Sequence, residues 1–277
     1  MKLPFSKMHG LGNDFVVFDF TQGSIPLSAE QASNIADRHF GIGCDQILII
    51  EQSERSDIDF KYRILNADGS EVGQCGNGSR CFALYVHQKG LSNKNPITVE
   101  TISDDLVLDL DIENQMITVN MGIPNFQPKE IPLAFSTQQE SYQVDIDGEE
   151  VSFSSLSIGN PHAVIQVKDT TTAPVATLGS TLESHSLFPE RANIGFMQIL
   201  NRSEFALRVY ERGVGETIAC GSGACAAAVA GIKNNQFDSS VTAHLNGGDL
   251  TINWDGDGQP VMMTGPAINV FDGTIDI

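Results

Sequence analysis

No stretch of this chain approaches 18 uninterrupted apolar residues, and its start, MKLPFSKMHG, has neither an apolar leader core nor a small-residue cleavage site. A membrane-spanning helix and a secretory leader are not expected, and the expected location is the cytoplasm. Basic residues are scarce: Lys and Arg number 16 against 35 Asp and Glu, for a net charge of −19. That balance repels phosphate backbones and anionic lipid surfaces, so nucleic-acid and membrane partners are not expected. It leaves an anionic substrate open, because the field inside a pocket is set by nearby N–H groups and a few side chains. Cysteine is sparse and odd in number (Cys44, Cys75, Cys81, Cys220, Cys225), which points to reduced thiols and not to a disulfide scaffold. No C-x-x-C pair exists and the six histidines are scattered, so no metal is expected. Neither CGNGSRC nor CGSGACA ends in the Gly-Lys-Ser/Thr of a nucleotide-binding loop.

A hydrophobic content of 41% over 277 residues suffices for a well-buried core in one large domain or two lobes. Short alternating or β-branched runs dominate, among them DFVVFDF, DQILII, FKYRIL, LVLDLDI, HAVIQV, NIGFMQIL, FALRVYE and DLTINW, separated by Gly, Asn, Asp and Pro. Three helices are predicted, over LSAEQASNIADRHFG, GSRCFALYVHQKG and GSGACAAAVAGI; the first opens with a Ser28/Gln31 capping-box pattern. The expected class is α+β with strands in the majority. Pro124, Pro128 and Pro132 interrupt the strands and mark a passage between lobes, giving an N-terminal lobe over 1–122, completed by 264–277, and a C-terminal lobe over 123–263.

The two halves resemble each other. FKYRILNADGSEVGQCGNGSRC lies over FALRVYERGVGETIACGSGACA without a gap, at an offset of 145 residues from Arg63 to Arg208 and from Cys75 to Cys220. Both copies share Phe, Arg, Glu, Cys, Gly and Gly at matching places, and the GND at Gly12 is echoed by the GNP at Gly159. The period is too long for a solenoid and predicts two similar lobes presenting two equivalent corners to one cleft.

Each corner is a C-G-x-G turn from strand into helix. Its glycines permit positive φ and close backbone approach, and the first helical turn leaves N–H groups unpaired with partial positive charge. An anion can dock there, and a cysteine held there is favoured as thiolate. Cys81 and Cys225 lie within the helices as ordinary packed thiols, and Cys44 has no twin. A papain-type nucleophile leaves the second corner unexplained, whereas two acid/base thiols account for both. Inverting a stereocentre needs a base on one face of a carbon and an acid on the other.

Taken together, KMHGLGNDF, GIGCDQ, NADGSEVGQCGNGSRC, IGNPH, ANIGF, YERGVGETIACGSGACA and GPAINVFDG resemble the diaminopimelate epimerase family almost end to end. The resemblance implies two pseudo-symmetric lobes, each a strand-rich mixed sheet or barrel wrapped around a central helix. It also implies cofactor-independent interconversion of LL- and meso-diaminopimelate in lysine and peptidoglycan precursor synthesis, and a homodimer with Phe271 at its contact. By the resemblance Cys75 and Cys220 are the acid/base pair. Asn13, Gln46, Asn66, Gly76, Asn77, Asn160, Asn193, Glu211, Arg212, Gly221 and Ser222 are substrate-binding, and His162 and Glu211 tune the thiols. Plainer roles exist for several of these: an asparagine beside Gly or Asp is equally a turn residue, Arg212 a surface ion-pair partner, and Gln46 an edge residue of its strand. The rival activities are a proline or hydroxyproline isomerase, which needs no clamp for a distal carboxylate, and an amino-acid binding protein, which needs neither thiol.

Overall fold

The structure is a computed structural model describing residues 2–23, 25–73 and 75–277. Its elements run β1 (Lys2–Gly10), β2 (Asn13–Asp19), α1 (Ala29–Ala36), β3 (Gln46–Gln52), β4 (Phe60–Asn66), β5 (Glu71–Val72), α2 (Gly76–Gln88), β6 (Ile97–Glu100), β7 (Asp105–Asp111) and β8 (Met116–Asn120). The chain continues with β9 (Tyr142–Ile146), β10 (Glu149–Ser157), β11 (Pro161–Gln166), α3 (Val175–Glu183), β12 (Asn193–Asn201), β13 (Glu204–Glu211), β14 (Gly215–Thr217), α4 (Gly221–Lys233), β15 (Ser240–Leu245), β16 (Gly248–Asn253), β17 (Met262–Pro266) and β18 (Ile268–Asp276). Strands are in the majority and parallel and antiparallel pairs mix, so the α+β class stands. Among the described residues no helix is long and apolar enough to cross a membrane. Two compact units form, one of Met1–Asn120 with Thr264–Ile277 and one of Met121–Met263.

In the first unit β2 pairs parallel to β3 with α1 between them in sequence, β3 pairs antiparallel to β4, and β4 turns back into β5. After α2 the chain re-enters as β6, parallel to β4, and returns as β7 and β8. The second unit repeats this order: β11 parallel to β12 across α3, β12 antiparallel to β13, β13 back into β14, then α4, β15 parallel to β13, and β16. The registers repeat as well. Phe15 faces Gln46 as His162 faces Asn193, and Leu65 faces Glu71 as Tyr210 faces Glu216. Thus the duplication read in the sequence is a duplication of hydrogen-bonding pattern.

Alternation along the strands explains the acidic surplus. On β7 Leu106, Leu108 and Leu110 point inward while Asp105, Asp109 and Asp111 face water. Each unit wraps its strands about one helix. The helix α2 packs against β1, β2, β3, β7, β8 and β18, and α4 against β10–β13, β15 and β16. A helix surrounded in this way is buried on nearly every side, and Ala224 through Ala230 are all buried. The small side chains let the strands close on α4, whereas α2 fills its unit with Phe82, Leu84, Tyr85 and Val86.

Candidate active site

In the first unit, the turn from β4 into β5 is clasped by a forked pair, Arg63 Nε to Glu71 Oε1 at 3.0 Å and a terminal nitrogen to Oε2 at 2.9 Å. The chain then delivers Cys75 as the N-cap of α2 with extended backbone (φ −147°, ψ 105°). The Gly78 N–H donates to Cys75 Sγ at 3.4 Å, one of the unpaired donors of that helix end. Position 78 must be glycine, because a Cβ there would lie 2.4 Å from the Tyr62 hydroxyl and 3.2 Å from Leu48. Cys75 Sγ lies 3.7 Å from Asn13 Oδ1, which also accepts from Asn77 Nδ2 at 3.2 Å. Gln46 and Asn66 stand opposite each other on β3 and β4, and the Gln46 amide donates to Asn66 Oδ1 at 3.0 Å.

The second corner repeats the frame with different polar groups. Arg208 and Glu216 form the same fork, at 2.7 and 2.9 Å, and Cys220 caps α4 with φ −113° and ψ 105°. Here the cysteine makes no side-chain cap bond. Its sulfur lies 3.8 Å from Ser222 Oγ, which accepts from Asn160 Nδ2 at 3.4 Å. The Asn160 oxygen is 2.8 Å from His162 Nε2. An amide oxygen only accepts, so Nε2 carries the proton of the His162 ring. Asn193 ties two strand ends together, donating to the Pro161 carbonyl at 3.2 Å and accepting from the Arg212 N–H at 3.0 Å. The Thr217 hydroxyl donates to the Glu211 carboxylate, and the Arg212 guanidinium donates to the Glu190 carbonyl at 3.3 Å.

Electrostatically the second corner departs from the expectation that a helix N-terminus favours thiolate. Burial first, and then the Glu211 carboxylate, push the Cys220 thiol well above its ordinary range; the Gly223 amide and Ser222 hydroxyl act the other way without cancelling them. The helix end contributes only a partial charge, whereas desolvation penalises the whole charge of a thiolate with 4% exposure. His162 is pushed down to about 3, by burial and then by Arg212, and is neutral at ordinary pH. Burial also raises Cys44, to about 11, and Cys81, so neither is a ready nucleophile. Among the described residues no group of three His, Cys, Asp or Glu could hold a metal ion.

The structure therefore gathers Cys75, Gly76, Asn77 and Asn13 at one corner, with Gln46 and Asn66 paired on adjoining strands. It gathers Cys220, Gly221, Ser222, Asn160, His162 and Glu211 at the other, with Asn193 holding the backbone of Arg212. The His162 ring reaches Asn160. Two groups escaped the sequence reading. Arg80, fully buried within α2, donates to Asn77 Oδ1 at 2.9 Å and to the Gly76 and Pro266 carbonyls at 3.3 and 3.0 Å. Asp45 accepts from Asn13 Nδ2 at 2.8 Å. The repeat carried a signal for the first, since a charged residue in a core helix lies over Cys225 of the second copy.

Known proteins resemble this chain over its whole length. The family model described as diaminopimelate epimerase matches residues 5–127 and 154–270. The chain is 53% identical to a diaminopimelate epimerase of Nitrosospira multiformis, covering 100% of this chain and 99% of the relative, and 50% identical to one of Teredinibacter turnerae, covering 100% of both. Among solved structures, a PhzF-family phenazine biosynthesis protein of Bacillus anthracis superposes with a TM-score of 0.72 at 16% identity, covering 100% of both chains. A hydroxyproline epimerase of Agrobacterium vitis superposes with a TM-score of 0.72 at 14% identity, covering 99% of this chain and 92% of that one. These two share the fold. With full-length identity at this level and both cysteine corners in place, the chain belongs to the diaminopimelate epimerase family.

Proposed function

We propose that the chain interconverts LL- and meso-diaminopimelate without a cofactor, serving lysine and peptidoglycan precursor synthesis, with Cys75 and Cys220 as the two acid/base residues. One observation carries the reading: two topologically equivalent strand-turn-helix corners each place a cysteine at the N-cap of a buried helix. In one direction a thiolate takes the α-proton and the other thiol delivers its own proton to the opposite face, so the thiolate and thiol exchange places. The return reaction reverses the roles. The raised Cys220 suits the proton-donating role in the unliganded enzyme.

Charge that develops as the proton leaves is delocalised toward the α-carboxylate, and the N–H groups of Gly76, Asn77, Gly221 and Ser222 are its donors. Asn13, Gln46, Asn66, Asn160, Asn193 and Glu211 supply acceptors for the two ammonium groups and donors for the carboxylates, and Arg212 pairs with the distal carboxylate. Glu211 tunes Cys220 directly, and His162 acts through Asn160. A distal carboxylate separates this substrate from a cyclic imino acid, which leaves Arg212 without a partner. The protein works in the cytoplasm as a homodimer with the exposed Phe271 of β18 at its contact, and without nucleic-acid or membrane partners.

The test is solvent exchange. Purified protein, given no pyridoxal phosphate and no metal, is expected to exchange the α-hydrogen of diaminopimelate with deuterium, to leave hydroxyproline untouched, and to lose epimerisation in Cys75→Ala and Cys220→Ala. Unimpaired epimerisation in both variants would remove the two-thiol mechanism, and binding without exchange would favour a binding protein.

A further inference from the structure

The first corner contains a run of hydrogen bonds whose direction is set at both ends. A guanidinium only donates, so the 2.9 Å contact from buried Arg80 turns the Asn77 oxygen toward Arg80 and its nitrogen away. That nitrogen donates to Asn13 Oδ1 at 3.2 Å. At the far end a carboxylate only accepts, and Asp45 takes a hydrogen bond from Asn13 Nδ2 at 2.8 Å. All the donors point one way, from Arg80 through Asn77 and Asn13 to Asp45, and the Asn13 oxygen is thereby left toward Cys75 Sγ, 3.7 Å distant. Asp45 is itself braced. It pairs with Arg38 at 2.6 Å, accepts from the Asp14 N–H at 3.1 Å, and donates its own N–H to Asp14 Oδ1 at 3.0 Å.

Among the described residues the second corner shows no such run. Cys225, Ser222 and Ala192 stand at the places of Arg80, Asn77 and Asp45, and Asn160 is turned the other way, with its nitrogen toward Ser222 and its oxygen on His162. The two equivalent asparagines thus face their thiol corners with opposite ends.

We infer that Asp45 is a positioning residue of the epimerase, acting on Cys75 through Asn13 by locking the Asn13 oxygen toward the thiol. The inference rests on Cys75 being an acid/base residue, as proposed above. An S–H can donate to that oxygen, whereas a thiolate meets no donor there; the Gly78 N–H at the helix end pulls toward thiolate. Opposed pulls keep both forms within reach, as a group that is base in one direction and acid in the other requires. Tyr62 and Cys81 bear on Cys75, and Lys7, Asp14 and Arg38 are arrayed around Asp45.

The experiment follows alkylation of Cys75 by iodoacetamide in the substrate-free protein between pH 6 and 10, read by mass spectrometry of its peptide. Asp45→Asn removes the acceptor-only end, so the Asn13 amide is held in its orientation by Asn77 alone and turning its nitrogen to the sulfur gives up one hydrogen bond where it gave up two. Alkylation of Cys75 at pH 7 is expected to rise about two- to tenfold, the upper end being complete exchange of one hydrogen-bond acceptor for a donor. Epimerisation is expected to fall in kcat more than in KM. In an Asn13→Ala background, Asp45→Asn is expected to change alkylation by less than about twofold, because the path through the amide is gone. Unchanged alkylation in Asp45→Asn, or the same rise in both backgrounds, would overturn the inference, the latter showing that the charge acts through space. Should Asp45→Asn fail to fold, Asp45→Ser carries the same comparison. Alkylation needs no substrate, so this test stands even if the diaminopimelate assignment falls.

Discussion

His162 offers the sharpest test of the second corner. Its ring is 1% exposed, burial and Arg212 hold its pKa near about 3, and an unfolded histidine titrates near 6.5. The neutral ring is the form the folded protein keeps. Below the unfolded value the denatured chain therefore gains a proton that the native state refuses. Stability falls with a slope approaching about 1.4 kcal/mol per pH unit until pH reaches the folded value. Integrated from pH 7 to pH 5 this amounts to about 2 kcal/mol. The control is His162→Phe, the residue present at the matched Phe15 of the first unit. The single tryptophan, Trp254, is buried in the same unit as His162, so its fluorescence reports unfolding of that unit. Urea unfolding at the two pH values should show the wild type losing about 2 kcal/mol more than His162→Phe, because the remaining histidines cancel in the difference. Equal losses in the two proteins would show that His162 is charged in the native state and would refute the argument from burial.

Iodoacetamide at pH 8 should modify Cys75 well before Cys220, since burial and Glu211 hold the latter as thiol; peptide mapping checks the order. Glu211→Gln removes a negative charge from beside that sulfur, so Cys220 alkylation at the same pH should rise by up to about tenfold. Gly231→Ala should destabilise the second unit by roughly 1–3 kcal/mol in urea titration, because the added methyl would lie 2.2 Å from the Phe237 ring, which is buried and stacked on Phe205. At Asp14 burial alone would raise the pKa, but hydrogen bonds from Arg38 and Lys7 hold it below the usual carboxylate range. Its contribution is present above about pH 4 and is lost as pH falls below that. Asp14→Asn should accordingly lower the melting temperature at pH 6 and narrow the gap from wild type at pH 3.

Much of the architecture was legible because it is written locally. Alternation marked β7, the Ser28/Gln31 box marked α1 and is formed in the structure, and the duplicated Arg-to-Glu-to-Cys spacing marked both corners. The misses have physical causes. The helix α3 starts at Pro174 without a side-chain cap, has no acidic residue in its first turn, and carries Gly179 in its middle. That glycine is demanded by tertiary packing, since a Cβ there would come 2.7 Å from Tyr210. The strand β18 has no fully buried position from which an inward face could be read, and it forms because β1, from the opposite end of the chain, pairs with it from Lys2↔Asp276 onward.

By itself, then, the sequence determined where the two corner thiols sit: C-G-x-G spacing puts each cysteine at a helix N-cap, a matter of local backbone geometry repeated twice. Only the tertiary structure decided how the two differ. Desolvation and the Glu211 charge hold Cys220 as thiol, and Arg80 and Asp45 set which end of Asn13 meets Cys75. Proton affinity and hydrogen-bond direction depend on what surrounds a group in space, and those surroundings come from residues distant in the chain.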